Sequence, residues 1–437
     1  MAQFRKDKHQ YLGDGKTVFE VMMLADQYGN LVGAANPTGM AVDAFGRARS
    51  SEPLTLFDSF HRFFDNGKIY TANSATGNAQ YASNTATINM NVDTANNAYV
   101  YRESGKTLAY QPGKSLQILQ TFIMNPAKAG LRQRIGYFGT NNGFFLEQNG
   151  TNIRFVSRSS VTGTPVDTPV EKADWNMDPL DGTGPSQLTL DLTSPQIMFT
   201  DIEWLGVGSV RMGFVINGQL IHCHTFHHAN LDTSPKGAYM QTACLPVRVE
   251  IENFTDTASN STIKIVCTSV ISEGGYDIRG RSRTAYTPVT TAYTLTTPGT
   301  YYPVASIQLN CSNGYGDAIA LLKGLSIAPI NSGAYHYKIV SGGTITGGTW
   351  SQKDSQSVVQ YNINATSCNT SGAVEFVSGY LSSTNQSSPN ITLSDDVFRF
   401  QLERNSFTNT PVPLTLLVSE SAASSNVYVS EDWQEVT

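Results

Sequence analysis

The run VGSVRMGFVINGQLIHCHTF narrows the possible folds of this chain more than any other stretch. Two β-rich segments, Val207 to Ile216 and Gln219 to Phe226, meet at Asn217-Gly218. An Asn-Gly pair between strands is the strongest short-range hairpin signal, because a type I′ turn needs positive φ at both central residues. The scheme recurs along the chain. RIGYFGTNNGFFLEQNGTNIRFVSR, Arg134 to Arg158, sets Asn141-Asn142-Gly143 and Asn149-Gly150 between aromatic-rich runs. VRVEIENF, Val247 to Phe254, is joined to TIKIVCTSVIS, Thr262 to Ser272, by the polar DTASNS. Along Val247 to Glu252 apolar and charged residues alternate, which predicts one packed face (Val247, Val249, Ile251) and one wet face (Arg248, Glu250, Glu252).

Short antiparallel strands at this spacing predict an all-β protein built as a β-sandwich or jelly roll. A chain of 437 residues exceeds the roughly 250–300 residues that one core supports, so more than one domain is expected. Residues 1–55 read as a docking arm, with a strand candidate at Thr17 to Leu24 and turns at Gln27-Tyr28-Gly29-Asn30 and Asn36-Pro37-Thr38-Gly39. So short a piece lacks a core and would gain order by pairing with a neighbour or by folding back on its own domain. Residues 56–283 form the expected main sandwich. TAYTPVTTAYTLTTPGT marks a linker at 284–300, and 301–437 carry a second, smaller sandwich with strands in YYPVASIQLN, AYHYKIVSGG, SVVQYNIN, AVEFVSGYL and VPLTLLVSES.

Charged residues make up 15% of the chain, against roughly 25% in ordinary globular proteins, so the strand surfaces are polar but largely uncharged. The net charge is −6, and Lys and Arg form no run that would draw a phosphate backbone; nucleic acid is not an expected partner. No apolar run reaches the roughly 20 residues that span a bilayer, and MAQFRKDKHQ leads into no signal-peptide core, so neither membrane insertion nor secretion is expected. Cys223, Cys244, Cys267, Cys311 and Cys368 show no Cys-x-x-Cys spacing and read as free, mostly buried thiols of a protein made in a reducing cytoplasm.

Two constellations could carry chemistry. On a strand, His222 and His224 would project to the same face and Cys223 to the other, as in His-x-His metal sites. A catalytic metal would need a third ligand, for which His227, His228 and Asp232 are the candidates. The competing reading makes these imidazoles the decoration of a half-exposed strand, with His228 closing the following loop. In TDIEWLG, Asp201 and Glu203 would share a strand face, as the paired acids of jelly-roll glycosidases do. The third alternating position is Leu205, however, and a solvated strand face competes with catalysis. No Gly-x-Ser-x-Gly elbow, phosphate-binding loop or dinucleotide fingerprint appears. SGGTITGGTW reads as loop and turn, DGTGPS as a turn, and Tyr315 and Trp350 as packed or sugar-stacking aromatics. No cofactor is expected.

With these residues in view, VDAFGRARSSEPLTLFDSFHRF, Val42 to Phe63, resembles a segment near the N-terminus of virion structural proteins of tailed bacteriophages. QRIGYFGTNNGFFLEQNG, EWLGVGSVRMGFVINGQLIHCHTFHHAN and SVISEGGYDIRG look like the rest of that module, so the resemblance spans about residues 40–285. It implies a fibre, spike, baseplate or capsid-attached component without known catalytic residues. It further implies a homo-oligomer, by analogy a trimer, joined to other virion proteins through the arm and assembled in the host cytoplasm. A host surface glycan or protein is then a candidate partner. The alternatives are a capsid-attached decoration or connector, and a glycan-degrading enzyme using Asp201 and Glu203.

Overall fold

A computed structural model describes residues 52–65, 67–232, 235–383, 399–421 and 424–436, and places the backbone of short strands at Gln10–Tyr11, Val18–Phe19, Leu24–Ala25, Leu31–Val32 and Asn390–Thr392. The chain divides into two compact units, Met1–Pro53 and Leu54–Thr437. In the first, Gln10–Tyr11 pairs with Val18–Phe19 and Leu24–Ala25 with Leu31–Val32, both antiparallel; the turn expected at Gln27 to Asn30 lies outside the described residues. The rest of the Thr17 to Leu24 strand candidate and the Asn36 to Gly39 turn lie outside the described residues.

The second unit is all-β and consists of two antiparallel sandwiches. In the first, one sheet runs Gln219–Phe226, Val210–Ile216, Gln196–Ile202, Ser115–Ile123, Ser261–Glu273, Thr87–Val92, Gly77–Ala82, and Pro53–Phe60 also pairs with Ser261–Glu273. The other sheet runs Val166–Glu171, Asn152–Ser159, Gly143–Asn149, Leu131–Phe138, Val247–Asn253, Tyr99–Ser104, Ile69–Asn73. Alternation decides what each strand buries. Ile118, Phe122, Met198, Ile202, Met212 and Phe214 from one sheet meet Val100, Ile135, Tyr137, Phe144, Leu146 and Ile251 from the other in a single core. The Asn217-Gly218 hairpin forms as the sequence predicts: Ile216 faces Gln219 and both turn residues have positive φ, 54° and 76°.

The second sandwich revises the expected domain boundary. Arg281–Tyr286 and Tyr293–Leu295, mostly inside the segment read as a linker, are strands of its five-stranded sheet, where both pair with Ser425–Val436. Thr and Tyr are strand formers, and the prolines between them interrupt the ladder without ending it. The remaining strands of that sheet are Ile319–Pro329 and Asn390–Thr392. Opposite lies a six-stranded sheet in the order Ser351–Gln352, Val359–Asn362, Tyr302–Leu309, Leu414–Glu420, Ala334–Ser341, Val374–Ser382. Val304, Ile307, Leu325, Ile327, Leu416, Val429 and Trp433 fill the space between the sheets. A small apolar seam of Ala109, Ile319 and Leu321, with Leu54, Leu56, Tyr276, Ile278 and Val436 packed around it, joins the two sandwiches. Gln401 Nε2 donates to the Thr107 carbonyl at 2.7 Å and Arg404 N to the Gly105 carbonyl at 3.2 Å across the same junction.

Candidate functional site

The histidine-rich strand departs from simple alternation. A register shift between Met212 and Gly213 places His224 opposite Met212 but His222 opposite Gly213, so one extra residue, Cys223, sits in the Gln219–Phe226 strand. A bulge of this kind breaks the two-residue period on which a same-face His222/His224 pair depends. The two rings accordingly serve different neighbours. His222 Nε2 lies 2.8 Å from Thr225 Oγ1, while His224 Nδ1 accepts the Asn176 backbone N–H at 3.3 Å and its ring stands edge-on to Phe226, 4.5 Å between centroids. His227 Nδ1 meets Ser209 Oγ at 3.2 Å. His228 Nδ1 donates to the Gly208 carbonyl at 2.8 Å and the ring stacks on Tyr239 at 3.5 Å. Asp232 pairs with Lys236 on the surface. Burial lowers the His222 and His228 pKa values and takes His224 down to about 4, so these rings are held neutral. Among the described residues, no three His, Cys, Asp or Glu side chains converge as a metal centre.

The acidic pair is also separated. Strand Gln196–Ile202 ends before Glu203, which is exposed, and the chain then turns through Leu205 and Gly206 at positive φ, 38° and 81°. The turn is tight: a Cβ on Gly208 would meet the Glu203 carbonyl oxygen at 1.6 Å. Asp201 stays on the strand, buried, and pairs through Oδ2 with Arg211 of the neighbouring strand. Burial outweighs that cation and raises the Asp201 pKa. Its second oxygen, Oδ1, is buried without a hydrogen-bond partner. The arrangement is an ion pair across two strands rather than two acids facing one bond.

The most developed electrostatic feature was legible only in part. The outer face of the seven-stranded sheet carries a ladder that crosses its strands, Glu171, Arg154, Glu147, Arg134, Glu250, Arg248, Glu103, with neighbouring members bonded in turn. Arg158 closes on Asp167 through two nitrogens, at 2.7 and 2.9 Å, and Arg132 pairs with Glu252. Beneath the guanidinium groups lie Phe138 and Phe145, both fully buried, with Arg134 and Arg158 over the Phe145 ring. The face expected to be wet is therefore closed. Glu250 is only 4% exposed; burial alone would raise its carboxyl, and Arg248 and Arg134 hold it below the usual range. Alternation correctly identified which residues leave the core, but six strands side by side let their charged tips neutralise and cover one another.

At the end of this ladder a cleft of about 310 Å³ opens between the sandwiches. Glu103, Asn141 and Gln241 line it from one side and Asp317, Arg404 and Asn409 from the other. Most of these groups already bond to protein: Arg404 to Asp317, Gly316 and Ser406, and Gln241 to Ser160. The five cysteines are free; Cys223 and Cys311 are buried and the others half-buried. DGTGPS is a turn in which Asp181 accepts the Thr183 N–H and hydroxyl.

These features define an all-β protein of paired antiparallel sandwiches. No protein-family model matches the chain, and no curated protein matches it. Among solved structures it is similar to a protein of unknown function from Shewanella oneidensis MR-1, at a TM-score of 0.33 and 11% identity over 52% of this chain and 88% of that one. Bacillus licheniformis β-glucanase is similar at 0.33 and 13%, covering 51% of this chain and 98% of that one. The CBM2 module of the Lactobacillus casei BL23 phage J-1 evolved Dit follows at 0.33 and 6%, covering 52% and 100%. Likenesses this distant carry no functional argument.

Proposed function

We propose that this chain is a structural component of a bacteriophage particle, of the fibre, spike or baseplate kind. Its N-terminal segment docks on other virion proteins and its two sandwiches project from the particle towards the host. The observation that carries the reading is the division of the chain into a small unit, Met1–Pro53, whose placed strands are two-residue hairpins, and a large body with two cores of its own. Hairpins as short as the two described there are marginal alone and gain by binding a neighbour, whereas the seven-stranded sheet of the large body ties its charged groups into internal ion pairs. The resemblance of Val42 to Phe63 and of the hairpin motifs to tailed-phage virion proteins supports the same role. Catalysis has no part in it, in keeping with the Asp201–Arg211 pair and the separated Glu203.

Particles assembled with a chain lacking residues 1–40 should contain none of it, while the truncated protein remains folded and soluble. Normal incorporation of that form would end the docking role. Immunogold labelling of intact particles should decorate the tail or baseplate, and label on the head would favour a capsid-attached decoration instead. Light scattering of the purified chain should give a homo-oligomer, a trimer by analogy with phage fibres and spikes.

A further inference from the structure

On the outer face of the six-stranded sheet of the second sandwich, His336 lies opposite Ser419 on one neighbouring strand and opposite Tyr380 on the other. Tyr301, just before the strand Tyr302–Leu309 on the far side of Leu414–Glu420, brings its hydroxyl within 2.8 Å of His336 Nδ1. The three rings form a row, with centroids 5.7 Å apart from Tyr301 to His336 and 4.5 Å from His336 to Tyr380. Tyr380 is 80% exposed, the most exposed large aromatic residue among those described. Lys338 places its ammonium 4.2 Å from the centre of the Tyr301 ring and also pairs with Glu375 at 3.4 Å. The row lies on the sheet face opposite the second core, which packs on Ile339, Leu416 and Val418, and beside it on the outer face Leu417 is buried.

We propose that Tyr301, His336 and Tyr380 form a binding surface for a neutral glycan. A pyranose offers an apolar CH face and a rim of hydroxyls. The exposed phenol ring matches the first, and the His336 imidazole, the Tyr301 hydroxyl and the Lys338–Glu375 pair match the second. Lys338 and Glu375 cancel in charge, which favours an uncharged sugar over an acidic one. A stable protein partner would cover roughly 800 Å² of each surface, far more than a row of three rings supplies. Here the exposed rings are bordered by Ser419, Ser378, Lys338 and Glu375. The inference deepens the proposed function, since host contact is what such a surface supplies, yet the binding itself is read from these residues alone.

The test uses the full chain on immobilised neutral oligosaccharides of glucose, galactose, mannose, rhamnose and N-acetylglucosamine, with affinities for the best binder measured by calorimetry. Tyr380→Ala and His336→Ala should each weaken binding by roughly ten-fold or more, the loss of one stacked ring or its polar partner. Tyr380→Trp should retain it. Tyr286→Ala, which removes another exposed tyrosine of the same sandwich, should change nothing. Absence of binding to every oligosaccharide, or equal binding by Tyr380→Ala, overturns the proposal. So does host-cell binding that survives periodate oxidation of the cell-surface sugars but is lost in Tyr380→Ala, because the row would then recognise a protein. Incorporation of Tyr380→Ala into particles is scored separately, so a failed glycan site and a failed docking role give different results.

Discussion

Glu431 projects from Ser425–Val436 between Val429 and Trp433 into the second core, with Ala285 and Leu325 opposite it on the flanking strands. It is fully desolvated, one of its oxygens has no hydrogen-bond partner, and burial pushes its pKa to about 8. The unfolded chain releases this proton near 4.5 and the folded chain near 8, so in that window the folded state holds the extra proton. Its contribution to stability is complete below pH 4.5 and is lost as pH rises through about 8. Urea unfolding of Glu431→Gln between pH 5 and 9 should show a flatter dependence than the parent, and an unchanged slope would contradict the buried neutral acid. His224 acts in the opposite direction. Folding lowers its pKa from 6.5 to about 4, so the stability it contributes above pH 6.5 falls away as pH drops towards 4. The same titration on His224→Gln should show a weaker acid slope.

Single strands and turns give sharper tests of the local chemistry. Gly218 sits at φ 76° with open space where a Cβ would go, so Gly218→Ala isolates the cost of the left-handed backbone. It should destabilise the chain by about 1 kcal/mol, measured by denaturant midpoint. Arg134 bonds Glu147 at 2.5 Å and Glu250 at 3.2 Å, and both carboxylates are almost wholly buried. Arg134→Ala leaves Glu147 with Arg154 alone and Glu250 with Arg248 alone, and the loss of these two charge-assisted bonds should cost about 2–3 kcal/mol. A loss below about 1 kcal/mol would mean that water solvates the ladder. The alternation of Val247 to Glu252 told which side chains leave the core, and the Asn-Gly pair told where the chain reverses. Neither reveals that the charged side closes over itself, because Arg134 and its partner Glu250 stand 116 residues apart on strands whose pairing is absent from any local pattern. Ser425–Val436, the central strand of its sheet, is masked in sequence because Glu431 and Glu435 occupy inward positions where apolar residues are expected.

For the body Leu54–Thr437 as a whole, the seam of Ala109, Ile319 and Leu321 and the bonds from Gln401 and Arg404 couple two cores. Calorimetry should show one cooperative transition. Leu321→Asp, which buries a carboxylate in that seam, should split it into two, and a single transition in the variant would show that the junction does not carry the coupling. The aromatic row of the second sandwich also exists only at this scale, since Tyr301, His336 and Tyr380 are scattered over eighty residues and become neighbours through three strand pairings. The sequence by itself determined the all-β class, the hairpin at Asn217-Gly218 and the inward residues of Val247 to Glu252, because turn φ angles and two-residue alternation are local properties. Tertiary structure alone decided that two short stretches of the segment 284–300 join a sheet, that a one-residue bulge separates His222 from His224, and that Arg and Glu side chains interlock. These outcomes depend on register between distant strands, where a shift of one residue exchanges one face for the other.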